Sequence, residues 1–368
     1  MTTHCDGTSV LQVPQVHPEL TGLIKKLSQA PDTFTDKDLQ TAFHLVFRGH
    51  GTAVQVGSLL VSLRLTKVDQ RPEIIAAAAE TLLQYATPVP IATHSTWHAN
   101  VVDIVGTGGD GHNTFNVSTS SAIVAAGAGC KVAKHGNRSS TSNSGSADML
   151  ESLGCDFAYL HPKHIDEYLQ RANFCFLFAP RFHPSIGRVS QVRKEVGMPT
   201  IFNVLGPLIN PVVPKRVVVG VHSPYLGPIV AESLRLCGTT HGMVVCGEEG
   251  LDEISPAGRT FVWRIHNDQI TQSSVHPSDF GLPVHTLAEV KGQSGQENAK
   301  LLSRILNGDT TETSIINFIL LNTSALLVVA GIATDFKDGV QLARESIASG
   351  RAKHALEEFS RFTSQPTA

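Results

Sequence analysis

The chain contains no CxxC pair. Its six cysteines, Cys5, Cys130, Cys155, Cys175, Cys237 and Cys246, are scattered, and several lie inside apolar runs such as NFCFLF and MVVCG. That distribution excludes a zinc ribbon or a thioredoxin-like motif and predicts buried free thiols in a reducing compartment. Basic residues are not in excess: the formal net charge is −3 over 368 residues, which leaves no electrostatic footprint for nucleic acid. There is no GxSxG elbow, no internal repeat and no low-complexity tract. The opening MTTHCDGTSVLQVPQVHPEL lacks a basic start and a continuous apolar segment, so it does not read as a signal peptide. No uninterrupted apolar run approaches the ~20 residues that span a bilayer. The most apolar stretch, TSIINFILLNTSALLVVAGIA, is interrupted by Asn322, Thr323 and Ser324 and reads as a buried core helix. A soluble, cytoplasmic protein is expected.

What is present divides by pattern. Residues 18 to about 86 read as helices only: Thr35 is a candidate N-cap for TDKDLQTAFHLVF, and Pro72 opens RPEIIAAAAETLLQYA, where its missing N–H costs nothing. TPVPIATHSTWHAN, without periodicity, reads as a linker near 87–100. From Val101, short β-branched or aromatic runs (VVDIV, KVA, FCFLF, RVVVGV, GMVVCG) alternate with helical stretches. The pattern lapses from Ser185 to Arg216, and long helices follow, with Gly350 placed to end the last of them. The expected class is α/β: a small N-terminal α-helical domain plus a large α/β domain with a central, mostly parallel sheet, and an active site in the cleft between them. The expected boundaries are 18–94, joined by about 186–209, for the helical domain, and 97–185 with 211–364 for the α/β domain.

Three loops carry candidate chemistry. In VVDIVGTGGDGHNTFNVST, Gly106, Gly108 and Gly111 satisfy GxGxxG after a strand. A dinucleotide fingerprint would need an immediate helix and an acid about 20 residues on. Here HNTFN delays the helix, and the later stretch is KVAKHGNRSS, with Lys131, Lys134 and Arg138. An anion cradle fits better, with glycine backbone amides, a helix start near Ser118, and Asn116, Ser118, Thr119 and Ser120 as polar partners. Asp110 inside such a loop makes sense if it accepts backbone N–H bonds or if a divalent cation sits nearby. The second loop, KHGNRSSTSNSGSAD over 134–148, is rich in donors. In the third, GEEGLDEIS, Asp252 and Glu253 are adjacent acids after a strand, which suits Mg²⁺ shared with substrate phosphate.

The ordered set GTGGDG, TFNVST, KHGNRSSTSNSGSAD, FHPSIGRVSQVRKEVG, FNVLGPLINP and GLDE resembles the anthranilate phosphoribosyltransferase family, with weaker matches from about residue 20 to 360. That family joins anthranilate to 5-phosphoribosyl 1-diphosphate (PRPP) in tryptophan biosynthesis. The resemblance implies PRPP contacts by Gly106, Gly109, Asp110, Thr114, Asn116, Val117, Ser118 and Thr119. It implies a mobile loop running from Lys134, His135, Gly136, Asn137 and Arg138 to Ser142, with Ser146, that closes over the phosphoribosyl group. Ser118, Asp252 and Glu253 would bind two Mg²⁺ ions, and Gly106, Asn137, His183, Arg193, Gly206 and Pro207 would form the anthranilate side. It also implies a homodimer through the helical domain and catalysis by positioning, without a covalent nucleophile. Ser185 and Ile186 in HPSIG, and KGQSGQEN, depart from the usual pattern but replace none of these residues. A pyrimidine nucleoside phosphorylase would join a KHS start directly to a glycine turn, and a nucleic-acid-binding paralogue would lose KHGNR and DE; this chain does neither.

Overall fold

Thr35 and Thr52 start helices in the same way. Each hydroxyl accepts the N–H of the residue three positions on, Asp38 or Gln55, whose side chain returns to the threonine N–H. With the helices Pro18–Gln29 and Pro72–Gln84, the second opened by Pro72 at its first turn, they build a four-helix N-terminal bundle. The computed structural model describes residues 15–139 and 143–364.

Seven strands form one sheet: β1 Val102–Gly106, β2 Val132–Gly136, β3 Phe174–Phe178, β4 Arg216–Gly220, β5 His241–Gly247, β6 Thr260–His266 and β7 Gln269–Val275. Their order is β3-β2-β1-β4-β5-β6-β7, parallel through β5 and antiparallel for the last two. Phe174 to Phe178 are buried throughout, as a strand covered on both faces requires. The strand order reverses between β1 and β4, so the loop after β1 emerges where open α/β sheets bind ligands.

One face of the sheet packs against the helices Val117–Gly127 and Thr313–Ala330. On the other face Val217, Val219, Val244 and Ile265 share an apolar cluster with Leu20 to Leu82 of the bundle and with Val189, Ile201, Phe202 and Leu205. The bundle is therefore closed against the α/β domain, with the helix Leu226–Leu236 between Pro72–Gln84 and the sheet, rather than by itself alone.

Two expectations, for Gly350 and for residues 87–100, are corrected here; the hairpin at 260–275 is an addition, and the apolar helix is buried in the core as expected. Residues 260–275 form a hairpin whose two-residue turn, Asn267–Asp268, has both φ values positive (45° and 67°). Gly350 has φ +75° but a further helix, Arg351–Ser364, follows it and buries Ala352, Ala355, Leu356 and Phe359 at helical spacing. Residues 87–100 are not a loose linker. Asp166 accepts from Ala92 N–H, Ser95 Oγ and Trp97 Nε1, and those bonds hold its carboxyl below the usual range despite burial. Thr313–Ala330 is by length and composition apolar enough to cross a membrane, yet 72% of it is buried inside the fold.

Candidate active site

β1 ends at Gly106, and no side chain fits there: a Cβ would collide with the Asp252 carboxylate, and one at Gly220 on β4 with the Asp252 backbone. The acid loop is thus seated directly on two strand ends. Beyond Gly106 the chain turns through Gly108, Gly109 and Gly111, all with left-handed φ (72°, 86° and 74°). It is then pinned to the 290–292 segment by Phe115 N–H to Val290 O (2.9 Å) and Gly292 N–H to Asn113 O (2.8 Å). The helix Val117–Gly127 starts next, with no side-chain cap from Asn116. Its first turn lines a cavity of about 360 Å³ together with the glycine loop, Ser144, Gly145, Ser146, Asp252 and Glu253. An uncapped helix start beside glycine amides suits an anion.

The opposite wall is acidic. Asp252 Oδ2 accepts the Gly108 N–H (2.7 Å), the Ser118 hydroxyl donates to Glu253, and Asp110 accepts the N–H of His112 (3.2 Å). Burial raises the carboxyl pKa values of both Asp252 and Glu253, and neighbouring acids, Asp110 first for Asp252, raise them further. Lys134, buried behind them, is the cation that opposes this for Glu253. Asn322 fixes the loop's far side, accepting Ile254 N–H (2.9 Å) and donating to Ile254 O (3.2 Å). Oxygen donors that repel one another in a half-buried pocket fit a divalent cation. Among the described residues no three His, Cys, Asp or Glu side chains could hold a metal by themselves, which suits an ion that keeps waters and shares substrate phosphate.

A second cluster lies on the other side of β2. The His135 and His183 rings meet edge to face at 5.2 Å. His135 Nδ1 contacts Gly206 O (3.2 Å), and His183 Nε2 contacts Ile209 O (2.7 Å). Burial lowers the pKa values of both imidazoles, to about 3 for His135 and about 4 for His183, so both are neutral. Their other ring nitrogens, like Ser185 Oγ, are buried without a hydrogen-bond partner. Arg193 sits half-buried over the Phe202 ring, 5.1 Å from its centroid, and no described acid pairs with it. Planar guanidinium, aromatic floor and no counter-ion together suit an aromatic carboxylate.

Comparison with known proteins agrees with this geometry. The family models described as "Glycosyl transferase family, helical bundle domain" and "Glycosyl transferase family, a/b domain" match residues 21–86 and 98–353. The anthranilate phosphoribosyltransferase of Schizosaccharomyces pombe is 44% identical over 351 residues, covering 95% of this chain and 99% of that protein. The chain belongs to the anthranilate phosphoribosyltransferase family. The Saccharomyces cerevisiae enzyme in complex with PRPP and Mg superposes with a TM-score of 0.87 at 38% identity, covering 94% of this chain and 98% of that one. A structure of the same yeast enzyme with 4-fluoroanthranilate has a TM-score of 0.85 at 36% identity over 94% and 97% of the two chains.

Of the residues that the family likeness singles out, Gly106, Gly109, Asp110, Thr114, Asn116, Val117, Ser118, Thr119, Ser146, Asp252 and Glu253 surround the one cavity. Others stand apart from it. Lys134, His135 and Gly136 belong to β2, in ladder with Phe176, Leu177 and Phe178 of β3, so they are not the start of a mobile loop. Lys134 is buried and donates to Ile104 O. Asn137 and Arg138 are exposed, and Arg138 pairs with Glu151 and lies over Phe178. Ser142 lies outside the described residues. His183, Gly206 and Pro207 gather around His135, with Arg193 one helix away over Phe202. Ser120, expected at the cradle, points into the core and bonds Asn116 O (3.1 Å).

Sequence reading overlooked Asn113, Phe115, Ser144, Gly145 and Asn298. Asn116 is the hub for two of these: its Oδ1 accepts from Ser144 Oγ and Asn298 Nδ2 (both 2.8 Å), and its Nδ2 donates to Ser144 O (2.9 Å). Asn116 thereby ties the glycine loop to the 143–146 turn. No local signal marks Asn298, which reaches the site from a helix 182 residues away.

Proposed function

We propose that this cavity binds PRPP and that the chain transfers its phosphoribosyl group to the amine of anthranilate, giving N-(5-phosphoribosyl)anthranilate and diphosphate, in tryptophan biosynthesis. The observation that carries the reading is the cavity's pairing of an uncapped helix start and glycine amides with the Asp252–Glu253 wall. Gly106, Gly109, Thr114, Val117 and Thr119 present amides and hydroxyls to the diphosphate and ribose. Asn137, Arg138, Ser142 and Ser146 close over the phosphoribosyl group, and Lys134 compensates the acids from behind. Asp110 shapes the loop through His112 N–H and borders the metal site. Ser118, Asp252 and Glu253 would hold Mg²⁺, two ions in this reading, and bound Mg²⁺ supplies neutralising charge to the diphosphate oxygens as they leave.

Arg193 takes the anthranilate carboxylate in a fork, and the neutral His135–His183 pair, with Gly206 and Pro207, shapes the pocket for its ring. The aromatic amine needs no general base of high strength, because the sugar carbon is strongly electrophilic once diphosphate departs. Catalysis is then a matter of aligning two reactants and of charge placed in advance. The same reading divides the chain into a helical domain of 18–94 with 186–209 and an α/β domain of 97–185 and 211–364. It places the enzyme in the cytoplasm as a homodimer through the helical domain, where Val54 and Leu65 are 77% and 72% exposed.

Anthranilate fluorescence tests the reading. It should decay only when enzyme, Mg²⁺ and PRPP are all present; no decay in the complete mixture, or decay without PRPP, sinks it.

A further inference from the structure

Strands β1 and β2 are neighbours, yet they are in register only at Val102 and Val132, whereas β1 and β4 remain paired over five residues to Gly106 and Gly220. Side chains fill the gap that opens. The Asp103 carboxylate accepts the His135 N–H at 3.3 and 3.4 Å, where a ladder would offer a backbone carbonyl. The Lys134 ammonium donates to Ile104 O, where a ladder would offer an N–H. Asn210 enters the same gap: its Nδ2 donates to Asp103 Oδ2 and to Ala133 O (both 2.8 Å), and its Oδ1 accepts Val212 N–H (3.1 Å). Asp103 and Asn210 are 0% and 2% exposed.

This one linkage joins three elements with different duties. β1 ends in the glycine loop. β2 carries His135 and leads to Asn137. Asn210 follows, by four residues, the Gly206 whose carbonyl meets His135. We propose that Asp103, acting with Asn210, is a positioning residue that sets the spacing between the donor cradle and the acceptor side by holding β1 and β2 apart. The inference rests on the functional reading above. Asp103 is fully buried and lines no part of the cavity, so its loss acts by misplacing one half-site against the other. In-line attack is sensitive to such an error, since a shift of about 1 Å can cost about 100-fold in rate.

The test is Asp103→Asn, nearly isosteric, which turns a donor toward the Asn210 amide. The expected result is a kcat about 10- to 100-fold lower, with the Kd for PRPP–Mg²⁺ and the KM for anthranilate each changed less than about threefold. Asn210→Ala gives the same pattern, and the double variant loses no more than the worse single one, because both break one linkage. Rates are normalised to folded protein from thermal melts, and if Asp103→Asn does not fold, Asn210→Ala and Asn210→Ser decide the matter. Wild-type kcat in the single variants, losses that multiply in the double variant, or a loss carried by KM alone overturns the proposal. A wild-type enzyme inactive on anthranilate overturns the functional reading instead.

Discussion

Around residues 106–119 the protein offers backbone amides and, facing them, the carboxylates of Asp110, Asp252 and Glu253. Around His135 and His183 it offers two imidazoles kept neutral by burial, with a guanidinium that no described acid pairs, Arg193, on the next helix. The two sides solve opposite problems. In the proposed reading the acidic side is completed by a cation from solution, which a highly charged donor would share. In that reading the other side carries its own positive charge and takes an aromatic acid of single charge. Their separation keeps Arg193 from being neutralised by the acids that the proposed donor site requires.

This contrast can be broken first at the acids. Asp252→Ala with Glu253→Ala should lower Mg²⁺-dependent turnover by at least ~10³-fold, the scale of lost electrostatic stabilisation. Its melting temperature should not fall, because burial of two acids with raised pKa values opposes folding. Undiminished turnover would remove the metal assignment. Next in size, Arg193→Ala should raise the anthranilate KM about 10- to 100-fold, the worth of a charge-assisted fork, and leave the PRPP KM within about threefold. Equal rises for both substrates would show that the sides are not separate. Gly106→Ala sharpens the boundary between them: its methyl would displace the Asp252 carboxylate, so the Mg²⁺ concentration for half-maximal rate should rise more than the anthranilate KM.

The smallest effect is on stability. Both histidines have folded-state pKa values, about 3 and about 4, below the unfolded value of roughly 6.5. The unfolded chain therefore binds more protons as pH falls, and stability is lost from about pH 6.5 downward, by roughly 1 kcal/mol per unit for each histidine. His183→Asn should flatten the dependence of melting temperature on pH between 7 and 5. An unchanged slope would mean that His183 is not neutral in the fold.

Much of the architecture was legible in residue order. Thr35 and Pro72 announce helix starts, and the β-branched or aromatic runs announce five of the seven strands. The β6–β7 hairpin escaped notice although its signal, Asn267–Asp268 between alternating residues, was present. The strand KVA was read three residues short because Lys134, His135 and Gly136 look like loop chemistry. They are strand residues because Phe176 to Phe178 pair with them. Asn322 was read only as an obstacle to membrane insertion, whereas it clamps the backbone beside Glu253.

The sequence alone determined the glycine loop after β1, the acid pair at 252–253 and the order in which these motifs occur, because backbone freedom and charge are properties of residues in local runs. Only the tertiary structure decided that Asp252 sits against Gly106 and Gly220, that Asn116 and Asn298 meet, and that Asp103 parts β1 from β2. Such contacts join residues up to 182 positions apart. They depend on sheet register and on which buried polar atom finds a partner, and neither is written in any local stretch of chain.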